Sequence, residues 1–171
     1  TSITIPSSVT SIGDGAFQGC RALKKFKTYN WNTGYNIGNT LFSNCDSLYE
    51  AELGQGLNFI PRNMFSTRSL LRKVSLPEGL TQISQNAFYS CTSLKSIDGL
   101  QKWNVSQGNK FSHLFEGCKN LSDVKSLENW KISGYDLSSM FKGCSSLSDI
   151  NGLKNLILRN RSYNFTDFFN G

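Results

Sequence analysis

Thiols are the most reactive groups this chain carries: Cys20, Cys45, Cys91, Cys118 and Cys144 are its 5 cysteines, and His113 is its 1 histidine. Such residues serve as nucleophiles, disulfide partners or metal ligands. A nucleophilic pair would need one cysteine within hydrogen-bond reach of His113 and a third group to orient the imidazole, yet the acidic residues are scattered singly along the chain. A zinc site would need clustered ligands, and no Cys-x-x-Cys spacing occurs. No glycine-rich loop suited to phosphate stands between a strand and a long helix. The sequence therefore reads as non-enzymatic and calls for no cofactor or metal.

The cysteines instead recur in phase with larger apolar residues. Aligned on Phe-x-x-Cys-x-x-Leu, the chain contains Phe17/Cys20/Leu23, Phe42/Cys45/Leu48, Phe88/Cys91/Leu94, Phe115/Cys118/Leu121 and Phe141/Cys144/Leu147, with a further copy, Phe65/Arg68/Leu71, lacking the thiol. Successive phenylalanines, with Phe169 as the last, are 25, 23, 23, 27, 26 and 28 residues apart. A fixed period in this range is the signature of a repeat architecture. Residues 1–171 are expected to form a single repeat domain. The opening "TSITIP" already reads as strand and the closing "DFFNG" stops short of its cysteine position, so a piece of a longer repeat array is expected.

Each copy has two local rhythms. After the cysteine, Leu-x-x-apolar recurs as Leu23/Phe26, Leu48/Ala51, Leu71/Val74, Leu94/Ile97, Leu121/Val124 and Leu147/Ile150 between polar neighbours, which suits a short strand with one buried face. Before it, "GDGAFQGC", "SQNAFYSC" and "LSSMFKGC" suit one helical or 3-10 turn that puts Phe and Cys on one side. A unit this small cannot bury its apolar face alone, so copies must stack. The expected fold is an α/β repeat solenoid: a right-handed superhelix of short parallel strands, short helical or 3-10 turns and loops, with six coils and part of a seventh. Stacked cysteines would point the same way, so all five are expected to be free, core-filling thiols, slow to react in the native state.

These residues carry a family resemblance. "SITIPSSVTSIGDGAFQGCRALKKF" and "SLPEGLTQISQNAFYSCTSLKSI" are similar to leucine-rich repeats of the BspA-like type. From Leu100 onward the chain resembles a sister version, in which Trp-x-x-Ser and Met-Phe-x-x-Cys replace the proline-containing strand. Arg68 in place of cysteine, the irregular "YNWNTGYNIGNTLF" and the poorly matching "LILRNRSYNFTDFF" depart from the pattern. The resemblance implies a leucine-rich-repeat fold, an extracellular or cell-surface location in host-associated bacteria or anaerobic protists, and adhesion to host or microbial surfaces.

Candidate binding residues follow from the strand register. With Leu23 and Phe26 inward, Lys24, Lys25 and Lys27 face out, and equivalent positions hold Tyr49, Glu50 and Glu52, then Arg72 and Lys73, then Lys95, Ser96 and Asp98. A basic face emerges, with Lys24, Arg72 and Lys95 in one row and Lys25 and Lys73 in the next, in keeping with a net charge of +6. Glu50 and Glu52 interrupt it and no aromatic platform accompanies it, which disfavours nucleic acid. The expected partner is a protein or glycan on a host or microbial surface. Trp31, Trp103 and Trp130 recur 11, 12 and 11 residues before a ladder phenylalanine. Burial between coils is the plain reading of them; stacking on sugar by Trp103 and Trp130 is the alternative. His113, two residues before Phe115, aligns with Gly15, Thr40, Asn63, Asn86 and Ser139 and is expected to be an exposed polar residue. No run approaches the roughly 18 apolar residues of a membrane helix. A binding module is thus the first reading, a structural spacer in a large surface protein the second, and a sugar-binding module the third.

Overall fold

The computed structural model describes residues 1–30, 36–96, 110–128, 130–132, 136–154, 157–158 and 162–171. Strands β1 (Ser2–Ile5), β3 (Lys25–Thr28), β5 (Glu50–Glu52) and β7 (Lys73–Ser75) form a parallel sheet in the order β1-β3-β5-β7. Ile3, Phe26, Ala51 and Val74 share one register row, and the buried Phe26, Ala51 and Val74 turn it toward the core. Alternation is what puts the flanking charged residues outside. Two-residue strands make a second wall: β2 (Ser11–Ile12) pairs with β4 (Asn36–Ile37), and β6 (Phe59–Ile60) with β8 (Gln82–Ile83). Its inward column is Ile12, Ile37, Ile60 and Ile83, all buried. Nearer the C-terminus β9 (Lys131–Ile132) pairs with β10 (Ile157–Leu158).

The segment before each cysteine is not a helical turn. Its backbone N–H groups alternate between two kinds of acceptor. Those of Ala16, Gln18 and Cys20 donate three residues back within the coil, while those of Gly15, Phe17 and Gly19 donate to Asn39, Leu41 and Ser43 of the next coil at 3.0, 3.2 and 2.8 Å. Left-handed residues permit the alternation. Positive φ angles fall two residues before and two after the phenylalanines, as at Asn63 (57°) and Thr67 (61°) or Asn86 (59°) and Ser90 (54°). Each one interrupts the helical bonding that would otherwise accumulate. Helical structure among the described residues is limited to two 3-10 turns, Lys125–Leu127 and Asn151–Leu153, which follow the Leu-x-x-apolar step in the later coils. Asp123 and Asp149 start them by accepting from the N–H of Lys125 (3.2 Å) and Asn151 (2.9 Å), the local bond that makes aspartate a turn former.

The core is a set of columns along the solenoid axis. Phe17, Phe42, Phe65, Phe88, Phe115, Phe141 and Phe169 stack as near-parallel rings with centroids 5.3–5.9 Å apart and interplanar angles of 11–18°, an offset geometry that suits aromatic quadrupoles. Phe17 and Phe169, at the two ends, are only partly covered.

A thiol column runs beside the rings. Each buried cysteine donates its S–H to the carbonyl of the ladder phenylalanine in the preceding coil: Cys45 to Phe17 (3.0 Å), Cys91 to Phe65, Cys118 to Phe88 and Cys144 to Phe115 (3.1 Å each). Cys20, in the first coil, departs from the expected buried position: it is exposed. Arg68 fills the missing place as a buried guanidinium, its Nε donating to the Ser66 carbonyl (3.1 Å), its Nη2 to Thr67 Oγ1 (2.8 Å), and its Nη1 lying 3.5 Å from Asp46.

Burial pushes the Cys91 thiol up to about 12 and the Cys144 thiol to about 11, and raises Cys118 well above its ordinary value. Thiolate, the reactive form, is thereby suppressed. With a chromogenic disulfide reagent the native protein is expected to release one fast equivalent, from Cys20, and the remainder only on unfolding. Replacing Cys20→Ser should abolish the fast phase; rapid native modification of Cys91 or Cys118 would contradict the thiol column.

Candidate binding face

The outer surface of the sheet carries three rows of side chains, and cross-coil pairing treats them differently. In the row of Ser2, Lys25, Glu50 and Lys73, Glu50 stands between two lysines. Its carboxylate takes Lys25 Nζ at 2.8 Å and Lys73 Nζ at 3.1 Å. Hydrogen bonds from Lys25 and Lys73 hold the Glu50 carboxyl below its usual range, and the bond to Glu50 raises Lys25. In the row of Thr4, Lys27, Glu52 and Ser75, Lys27 Nζ meets Glu52 at 2.7 Å. Lys25, Lys27 and Lys73 are therefore all ion-paired: Glu50 is shared by Lys25 and Lys73, and Glu52 takes Lys27.

The third row keeps its charge. Tyr49 N–H donates to the Lys24 carbonyl (3.0 Å) and Arg72 N–H to the Tyr49 carbonyl (3.1 Å), so Lys24, Tyr49 and Arg72 are neighbours along the axis. The repeat register continues the row to Lys95. Lys24, Arg72 and Lys95 are exposed, and none has a carboxylate partner among the described residues. Half-buried Tyr49 sits among cations: the Arg72 guanidinium lies 4.7 Å from its ring centroid and Lys25 Nζ 5.6 Å. These contacts hold the ring as a fixed platform. Tyr49 is legible in the sequence as a face residue but not as the anchor of this row, because Arg72 is 23 positions away.

Other candidates fare differently. Trp130 is fully buried and packs 6.2 Å from Phe111, so it cannot stack on a sugar. Trp31, Trp103 and Asp98 lie outside the described residues. His113 is half-exposed, with Nδ1 2.5 Å from Glu116 Oε2, and its φ of 57° makes it a member of the left-handed series. No three His, Cys, Asp or Glu side chains converge on a metal position among the described residues, and no described helix is long and apolar enough to cross a membrane.

Stacked parallel coils with inward leucine, isoleucine and phenylalanine columns define a leucine-rich-repeat solenoid. More narrowly, the chain belongs to the BspA-type leucine-rich-repeat family: the profile of that repeat region matches residues 1–113 in 6 copies. A second profile, described as a Mycoplasma protein of unknown function, matches residues 79–170, the part that resembles the sister repeat. No curated protein matches. Among solved structures, the Treponema pallidum leucine-rich-repeat protein is 22% identical with a TM-score of 0.58, over 86% of this chain and 78% of that one. A leucine-rich cell surface protein of Faecalibacterium prausnitzii is 21% identical with a TM-score of 0.55, over 94% of this chain. This chain spans 32% of the Faecalibacterium chain.

Proposed function

We propose that this chain is a non-enzymatic recognition module of a cell-surface or secreted protein, which binds an acidic partner protein through the row Lys24, Tyr49, Arg72 and Lys95. The observation that carries this reading is the selective pairing of the sheet: every lysine of two rows is bridged to Glu50 or Glu52, leaving one line of cations without a carboxylate partner among the described residues around a tyrosine packed against arginine. Charge of one sign steers an oppositely charged partner, and tyrosine with arginine is a combination enriched at binding hot spots. The solenoid supplies rigidity, so little ordering accompanies association. A surface location is supported by family membership and by the cell-surface designation of the Faecalibacterium structure.

Immobilised poly-L-glutamate is a suitable probe. Reversal of Lys24→Glu with Arg72→Glu is expected to weaken retention about fivefold to tenfold, and binding should fall as salt screens exposed charge. Lys119→Glu with Lys154→Glu changes net charge equally at exposed positions off the sheet and should have a small effect. Equal losses for the two pairs, or salt-independent retention, would remove this row from the mechanism.

A further inference from the structure

The left-handed turns do more than close each coil. Where they stack they enclose an open groove of about 480 Å³ that runs past four coils and involves no residue of β1, β3, β5 or β7. One wall is built from the position two before each phenylalanine, with Thr40, Asn63 and Asn86, and the other from the position just after, with Ser43, Ser66 and Tyr89. The first wall has a backbone explanation, since positive φ favours asparagine. The second wall has none, because its residues need no special backbone conformation. The side-chain polar atoms of these six residues make no protein hydrogen bond among the described residues. They leave amide and hydroxyl donors and acceptors facing the groove. His113 and Glu116 bound to each other form one end. In the next coil Lys142 is bridged to Asp167 at 3.2 Å, outside the groove.

We propose that this groove binds a neutral oligosaccharide. Its lining includes no lysine or arginine, and its one carboxylate is paired with histidine, so a polyanion has nothing to pair with. It is too polar for a lipid or an apolar peptide face. Neutral sugars present hydroxyl groups that both donate and accept, matching amides and hydroxyls, together with C–H faces that pack on an aromatic ring such as Tyr89. Successive coils, 5.3–5.6 Å apart at the rings of Phe42, Phe65, Phe88 and Phe115, repeat those groups along the groove, as a linear saccharide repeats its own.

The test is calorimetric titration and saturation-transfer NMR with chitohexaose, cellohexaose, maltohexaose and a linear mannohexaose at millimolar concentration. At least one should bind, with saturation transfer to ring C–H protons. Tyr89→Ala should weaken that binding about tenfold. Ser66→Glu should obstruct the groove to a similar degree, and Lys24→Glu with Arg72→Glu should leave it unchanged. Circular dichroism matching the parent protein establishes that each variant is folded, and Tyr89→Phe, which keeps the ring, should retain most of the affinity. Binding of none of the four sugars overturns the proposal. So does binding indifferent to both groove variants, or binding lost on reversal of Lys24 and Arg72; that last result would support the strand face alone.

Discussion

Truncating Phe88→Ala is expected to lower the free energy of unfolding by about 3–5 kcal/mol. Phe88 is fully buried, and its ring sits between Phe65 at 5.3 Å and Phe115 at 5.6 Å. Its backbone is equally committed: the N–H donates to Leu114 at 3.1 Å and the carbonyl accepts the Cys118 thiol at 3.1 Å. A cavity there cannot collapse easily, because the backbone around it is pinned to both neighbouring coils. In a solenoid each coil contacts only its neighbours, so loss of this ring weakens two interfaces at once. Phe17, stacked on Phe42 and only half-covered, should cost markedly less when truncated. Urea titration decides, with the midpoint falling at constant slope. Equal shifts for Phe17→Ala and Phe88→Ala would mean that the rings do not form one cooperative column.

The second large effect is expected from a single added methyl group. Gly152 lies in the 3-10 turn Asn151–Leu153, pressed against the preceding coil; a Cβ there would meet the Val124 carbonyl oxygen at 1.8 Å and its carbon at 2.4 Å. Both obstacles are backbone, so no rotamer change relieves the clash. The coils would have to part, and Gly152→Ala should cost about 3 kcal/mol, at the upper end of the usual range for overpacking. Gly13→Ala is the control: open space surrounds that position, and the change should stay within about 1 kcal/mol, with a gain in stability as the expected sign. Hydrogen exchange would locate the damage, with protection lost first at the N–H of Leu127, which donates to the Val124 carbonyl at 2.9 Å. Undiminished protection there would show that the two turns are not in register.

The spacing of Phe, Cys and Leu was sufficient to foresee the stacked coils, because burial selects residue type one position at a time and repetition makes the selection visible. Phe42, Phe65, Phe88, Phe115 and Phe141 lie where the period puts them, and Lys24, Tyr49 and Arg72 lie on the outer face. The turn before the cysteine, which from sequence suits one helical or 3-10 turn, is instead interrupted by left-handed residues that send alternate N–H groups to the next coil. Gly15, Asn63 and Asn86 were aligned with His113, yet a set rich in glycine and asparagine is also the mark of left-handed backbone, and that signal was there to be found. Other features had no local signal at all. Whether Glu50 interrupts the basic row or bridges Lys25 and Lys73 depends on distances between residues 23 and 25 positions apart, which only the register of neighbouring coils sets. Arg68 lies buried beside Asp46 where a thiol was missing, Trp130 is sealed against Phe111, and Cys20 is left exposed. In each case composition names the group, but its charge partner or its cover comes from the coil above or below, so the free row and the polar groove became visible only once the coils were stacked.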